Sequence, residues 1–203
     1  MTAIQALERA APTKPMQLGR VERREFEYIR HGTRSLIANL EVATGRIVSP
    51  SLGQTRTEAD WVAHIERTVA TDEKAAWIFI VDQLNTHWSC GLVELVKRLC
   101  QLEVSADELG LKGKSGILTN QATRQAFLED PMHRIRFVYT PKHASWLNQI
   151  EIWFSILMRR LLKRASFSSV EELSERILSF IDYFNRVAAK PFAWTYTGRP
   201  LQA

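Results

Sequence analysis

The chain has 203 residues, of which 45% are hydrophobic and 24% charged, and its formal net charge is +5. This composition predicts one globular domain and excludes a disordered chain. No apolar run approaches the ~20 residues of a membrane-spanning helix, and the first residues contain no signal-peptide core. The two cysteines, Cys90 and Cys100, do not suffice for a disulfide scaffold and indicate thiols in a reducing cytoplasm. The positive charge favours an anionic partner such as nucleic acid.

The first predicted elements are antiparallel strands. The alternation that is typical of a strand puts one set of residues on one face, Leu36, Ala38, Leu40 and Val42, and the residues between them, Ile37, Asn39 and Glu41, on the other. The pattern breaks at "ATG", where Gly45 can take the positive φ of a tight hairpin. The segment "REFEYIR" just upstream is also predicted to be extended.

A helix, a strand and a second helix follow. Trp61, Ile65 and Val69 have helical spacing, and so do Leu92, Val96 and Leu99. Between the helices, "AAWIFIV" is a continuous apolar run, which predicts a strand buried on both faces.

The second half is predicted to contain an insertion, a strand and two long helices. The insertion spans about 103–133 and carries short helices, and the strand "RIRFVYT" ends at Pro141. A capping box of Ser168 and Glu171 opens the final helix, whose apolar stripe includes Ile177 and Ile181. This order predicts one mixed α/β domain over residues 1–203.

A polar cluster follows the predicted strand "AAWIFIV". Asp82 ends the apolar run, and Asn85 and His87 come within five residues. One interpretation is local, because Asp commonly starts turns and caps helices. The other is a functional site, for which residues elsewhere in the chain provide further evidence.

The first of the two long helices carries a polar stripe. Ser145 is its predicted N-cap, and Asn148, Glu151 and Ser155 share one face between apolar flanks. A carboxylate on so apolar a helix either binds a partner or cation, or lies on a solvated edge or pairs with a nearby Arg. Helix spacing leaves both interpretations open.

Cations collect at the end of this helix and in the loop before it. Arg159, Arg160, Lys163 and Arg164 offset the helix dipole, but they are more numerous than the dipole needs. A contact with a phosphate backbone is the equally weighted alternative. Lys142 and His143 could reach the same nucleic-acid strand.

Three segments together carry a family resemblance: "WIFIVDQLNTH", "VYTPKHASWLNQIEIWF" and "PFAWTYTGRPL". They resemble the catalytic domain of DDE-type transposases of the mariner superfamily, in the bacterial branch named after insertion sequence six-thirty. The resemblance runs through essentially the whole chain. It implies an RNase H-like fold, with a mixed sheet flanked by helices and a partly helical insertion before the last strand.

The resemblance also implies a site and its partners. In the family, three acidic residues bind two divalent ions, Mg²⁺ or Mn²⁺, that act on DNA at transposon ends and target sites. Asp82 matches the second acid and Glu151 the third. The residues that match positions around the site are Asn85, His87, Ser145, Trp146 and Asn148. A bacterial protein of this kind would work in the cytoplasm at the nucleoid.

The start of the chain departs from the family pattern. The first acid of the family lies in an Asp-Glu-Lys segment, and "MTAIQALER" is similar to the sequence just after it, with Met1 at the position of the last residue. Glu8 is out of position for that acid, and the helix-turn-helix domain of the family is absent. We therefore expect a chain cut just after its first catalytic residue and impaired in activity.

Three interpretations follow from this departure. The leading one is a transposase catalytic domain for DNA cleavage and strand transfer. The second is a non-catalytic remnant that binds DNA or pairs with a full-length transposase, and a homodimer also stays open. The third, another RNase H-like nuclease, is disfavoured by "SWLNQIEIWF".

Overall fold

The structure is a computed structural model that describes residues 2–142 and 147–191. The predicted mixed α/β class is confirmed, and the combination of antiparallel and parallel strands with helices is consistent with an RNase H-like fold. The elements in chain order are β1 Thr2–Arg9, β2 Tyr28–Leu40, β3 Ile47–Gly53, α1 Glu58–Val69, β4 Trp77–Val81, α2 Cys90–Leu99, α3 Ala106–Leu109, α4 Gln121–Glu129, β5 Ile135–Tyr139, α5 Ile150–Arg160 and α6 Val170–Val187.

The first three strands form an antiparallel sheet in the order β1-β2-β3. The predicted hairpin is confirmed, since Gly45 has φ +72° in the turn between β2 and β3. A Cβ at Gly45 would collide with the carbonyl of Lys190, so the turn needs glycine for space as well as for φ. The expected extended segment 24–30 is only partly correct, because β2 begins at Tyr28.

The other two strands, β4 and β5, form a parallel pair in which Phe79 lies opposite Phe137. Phe79 and Phe137 are buried and their rings stack, whereas Ile78 and Ile80 are 55% and 51% exposed. The prediction that this strand is buried on both faces is therefore wrong. A continuous apolar run shows that both faces could be buried, but no described element covers the second face.

Two apolar clusters form the core. In the first, α1 and α2 pack on β4 and β5 through side chains such as Trp61 and Leu92. Leu118 and Leu128 belong to this cluster, so the predicted insertion contributes to the core and contains α3 and α4. In the second, α5 and α6 pack on the antiparallel sheet.

The final helix begins one residue later than predicted. For α6 the N-cap is Ser169, whose side chain accepts from the Glu172 N–H. The predicted pair of Ser168 and Glu171 is wrong by one residue, because Ser168 instead donates to the Glu172 carboxylate. For α5 the described helix begins at Ile150, and Ser145 lies outside the described residues.

None of the helices within the described ranges combines the length and apolarity needed to cross a membrane.

Candidate functional site

Asp82 is the first residue after β4, where the chain turns into the short 3-10 helix Asn85–Trp88. The Oδ1 of Asp82 accepts from the Leu84 N–H at 3.3 Å and lies 2.8 Å from Nδ1 of His87. Asp82 does not cap a helix, because the N-cap of α2 is Ser89. The purely local interpretation of this residue therefore explains only its bond to Leu84.

His87 is a buried side chain that faces the Asp82 carboxylate. Its Nδ1 is also 3.0 Å from the Asp82 carbonyl oxygen, and because both neighbours are acceptors, the proton lies on Nδ1. The ring packs against Trp61 with 4.4 Å between centroids. His87 is thus fixed on one side by an aromatic ring and on the other by its hydrogen bond to Asp82.

The Asp82 carboxylate is ionised near neutral pH. The hydrogen bond from His87 is the main cause that lowers the pKa of Asp82, and it outweighs the opposing effect of partial burial. The side chain is 35% exposed, and no described residue hydrogen-bonds to its Oδ2. An ionised, partly exposed carboxylate with one such oxygen is a suitable ligand for a hard divalent cation.

The ends of β4 and β5 are held together around this carboxylate by residues distant in sequence. Gln83 donates from Nε2 to the Thr140 carbonyl at 2.7 Å. The Tyr139 hydroxyl donates to the His87 carbonyl at 2.7 Å, and burial raises the pKa of Tyr139. No local sequence pattern marks Gln83 or Tyr139 as part of the site, since these contacts join segments far apart in the chain.

The predicted insertion also supports this segment. Arg124 in α4 donates from Nε to the Trp88 carbonyl at 2.7 Å and from Nη1 to the Leu118 carbonyl at 3.0 Å. It therefore fixes the end of the 3-10 helix against the insertion. This role of Arg124 was not predictable from the sequence, because a lone Arg in a polar stretch has no local signal.

Glu151, the second proposed acid, is in the first turn of α5 and is exposed. Its N–H donates to the Asn148 carbonyl at 3.0 Å, and its carboxylate forms no hydrogen bond with a described residue. Asn148 is half-buried and Ser155 is exposed, so the polar stripe faces solvent. Of the two interpretations left open, the solvated edge describes Glu151 here.

The acids in the described residues do not decide whether Asp82 and Glu151 share a metal ion. Within residues 2–142 and 147–191, no group of three His, Cys, Asp or Glu side chains could hold a metal ion. A site shared by Asp82 and Glu151 therefore stays a prediction. Asn85 is exposed at the start of the 3-10 helix, and Ser145 and Trp146 lie outside the described residues.

The predicted cationic cluster is exposed. Arg159 and Arg160 end α5, and Lys163 and Arg164 lie in the 3-10 turn Leu162–Arg164. The helix-dipole explanation thus applies to the first two only. Lys142 is exposed as well, whereas His143 is outside the described residues.

One comparison with known proteins identifies a family. Residues 4–174 match the family model described as DDE superfamily endonuclease. Neither the curated proteins nor the solved structures include a significant match to the chain.

Proposed function

Because the chain belongs to the DDE superfamily endonucleases, we propose that it is a transposase catalytic domain that cuts DNA at transposon ends and joins them to target DNA. The observation that carries the proposal is the Asp82 carboxylate at the end of β4. It is ionised, and His87 holds one of its oxygens while the other bonds to no described residue.

Asp82 and Glu151 are the proposed ligands of Mg²⁺ or Mn²⁺. Both offer hard oxygen donors that no cation side chain in the described residues neutralises, apart from the contact of Asp82 with His87. Ions held by these carboxylates would supply activation of the attacking water or 3′-hydroxyl and stabilisation of the leaving oxygen.

The side chains around Asp82 would orient it for this role. His87 holds Oδ1, and Gln83 and Tyr139 tie the surrounding backbone to the end of β5. A carboxylate held in this way loses little conformational freedom when it binds a ligand. We propose that Asn85, Asn148, Ser145 and Trp146 surround the same site.

These 203 residues supply two of the three acids that the family resemblance implies. Two carboxylates could hold one ion, whereas the complete chemistry implied by the family resemblance would use two ions held by three acids. We therefore expect the 203-residue chain by itself to bind Mn²⁺ weakly and not to cleave transposon ends.

The decisive experiment combines metal binding with DNA nicking. Calorimetric titration with Mn²⁺ should show weaker binding for both Asp82→Asn and Glu151→Gln, with Glu94→Gln as a control on the exposed side of α2. Placing an Asp-Glu-Lys segment before Thr2 should strengthen Mn²⁺ binding. With a DNA-binding domain added, this extended chain should nick labelled transposon-end DNA, and Glu151→Gln should abolish the nicking.

Two results would contradict this proposal. Unchanged Mn²⁺ affinity in both Asp82→Asn and Glu151→Gln would show that neither residue is a metal ligand. Metal-dependent nicking by the unextended chain, abolished by Glu151→Gln, would show that another residue is the third ligand.

The cationic cluster is the proposed contact with the DNA backbone. None of Arg159, Arg160 and Lys163 forms an ion pair with a described residue, and all are exposed. Arg159→Ala with Arg160→Ala should lower the salt dependence of DNA binding by roughly one unit per lost phosphate contact. The matched control is Lys112→Ala with Lys114→Ala, which removes the same charge. If the two double variants had equal salt slopes of DNA binding, the helix-dipole explanation would be favoured for the cluster.

A further inference from the structure

The segment between β1 and β2 projects from the domain as a two-stranded arm, which we define as residues 10–27. Its strands are joined by backbone hydrogen bonds between Lys14 and Arg23 at 2.9 and 3.1 Å and between Gln17 and Arg20 at 3.0 and 2.9 Å. Gly19 at the tip has φ +74°, and a Cβ there would have no heavy atom within 4 Å. The tip of the arm therefore contacts no other described part of the chain.

The arm exposes large apolar side chains. Met16 and Val21 are each 76% exposed, and Leu18 at the tip is fully exposed. Every residue from 12 to 24 is exposed, so the arm contributes nothing to either core cluster. Since an isolated two-stranded ribbon is only marginally stable in water, these side chains indicate a surface that becomes buried against a partner.

The charges of the arm indicate what kind of partner it takes. Glu22 pairs with Arg24, and Glu25 near the base accepts hydrogen bonds from the backbone of its own segment. Lys14, Arg20 and Arg23 form no ion pair with any described residue. The distal half of the arm thus carries three positive charges that no described residue pairs, while Glu25 and Glu27 lie at its base. Such a tip complements a polyanion better than an apolar protein surface.

We propose that the arm is a β-ribbon that binds in a groove of duplex DNA, a surface separate from the cationic cluster at the end of α5. A two-stranded ribbon fits the width of the major groove, and apolar side chains flanked by Lys and Arg also suit a widened minor groove. Lys14, Arg20 and Arg23 contact phosphates, and Met16 and Leu18 pack against sugars and base edges. This inference deepens the proposed DNA-cutting function and rests on it.

Binding is measured without metal, by fluorescence anisotropy of a labelled random-sequence duplex in EDTA over a series of salt concentrations. The arm variant combines Lys14→Ala, Arg20→Ala and Arg23→Ala. The matched control combines Lys74→Ala, Lys112→Ala and Lys114→Ala, which removes the same charge from exposed sites elsewhere. The arm variant should lose roughly two to three units of salt slope, about 0.9 per phosphate contact, and the control less than one.

A second variant tests the apolar side chains at constant charge. Met16→Ser with Leu18→Ser should weaken DNA binding several-fold while leaving the salt slope unchanged. Because no metal is present, these results do not depend on Asp82 or Glu151, and loss of nicking would not affect them.

Two outcomes would overturn the inference. Equal salt slopes for the arm variant and its control would show that the arm does not contact phosphates. Unchanged DNA binding together with loss of self-association in sedimentation, caused by Met16→Ser with Leu18→Ser, would assign the arm to a second copy of the chain.

Discussion

The Nδ1 of His87 lies 2.8 Å from the Oδ1 of Asp82, and this contact is the main reason that the pKa of Asp82 is lowered. His87 is buried against Trp61, so its position does not depend on Asp82 alone. The hydrogen bond therefore connects a rigid part of the first core cluster to the proposed metal ligand.

Replacing His87 by Phe should change the pKa and the order of the Asp82 carboxylate more than it changes the fold. Phe keeps an aromatic ring against Trp61 but removes the donor, so the pKa of Asp82 should rise and its side chain should become less ordered. We expect Mn²⁺ affinity to fall by about 10-fold, as for other partners of metal ligands. NMR titration of the Asp82 carboxyl and calorimetry measure the two effects. Glu94→Gln on the exposed side of α2 is the control. An unchanged Asp82 pKa in His87→Phe would contradict the assigned role.

The sequence predicted those parts of the fold that depend on local pattern. The apolar stripes of α1, α2 and α6 have helical spacing over several turns, and Gly45 marks a turn that needs positive φ. For the site, Asp82 and His87 are close enough in sequence to be recognised as one cluster.

The remainder depends on contacts that no local pattern specifies. Residues 2–9 are rich in Ala, Leu, Glu and Arg, which favour helices, yet they pair with β2 as a strand because tertiary context overrides propensity. Tyr139 and Arg124 reach the site segment from distant positions. The open face of β4 likewise follows from which elements lie beside it, and not from its composition.

His64 should make the stability of the protein depend on pH. It is fully buried between α1 and the antiparallel sheet, where its Nε2 accepts from the Asn39 amide and its Nδ1 donates to Ser51. Burial, with a smaller effect of the Arg67 charge, lowers the pKa of His64 to about 3. The folded state therefore keeps His64 neutral, while the unfolded chain binds a proton below its ordinary value of 6.5.

Stability should accordingly rise with pH between about 3 and 6.5, because the unfolded state binds more protons in this window. From pH 7 to pH 5 the free energy of unfolding should fall by about 2 kcal/mol through His64. Urea denaturation at both pH values measures the difference. In His64→Gln, which can keep one donor and one acceptor, the difference should shrink, and the same loss in both proteins would assign it to other groups.

Arg124 should stabilise the segment after β4 from the insertion. Arg124→Ala removes the side-chain donor of the Trp88 carbonyl and leaves the Leu118 carbonyl with the longer bond from the Gly113 N–H at 3.4 Å. This should cost about 1–3 kcal/mol in the free energy of unfolding. Hydrogen exchange of residues 84–89 should become faster than in the control Gln125→Ala, whose side chain donates to Glu129 on the surface. Equal exchange in the two variants would show that the insertion does not hold this segment.

The two faces of β4 should respond differently to substitution. Phe79 is buried and stacks on Phe137 with 5.2 Å between ring centroids, so Phe79→Ala should cost about 3–5 kcal/mol in the free energy of unfolding. Ile80 is 51% exposed on the opposite face, and Ile80→Thr keeps a β-branched side chain that suits a strand. It should cost less than about 1 kcal/mol, as expected of a surface position. Chemical denaturation of the two variants and the parent chain measures both values, with Ile78→Thr as a second exposed position. If Ile80→Thr cost as much as Phe79→Ala, some other part of the protein would have to cover this face in solution, because the described elements leave it open.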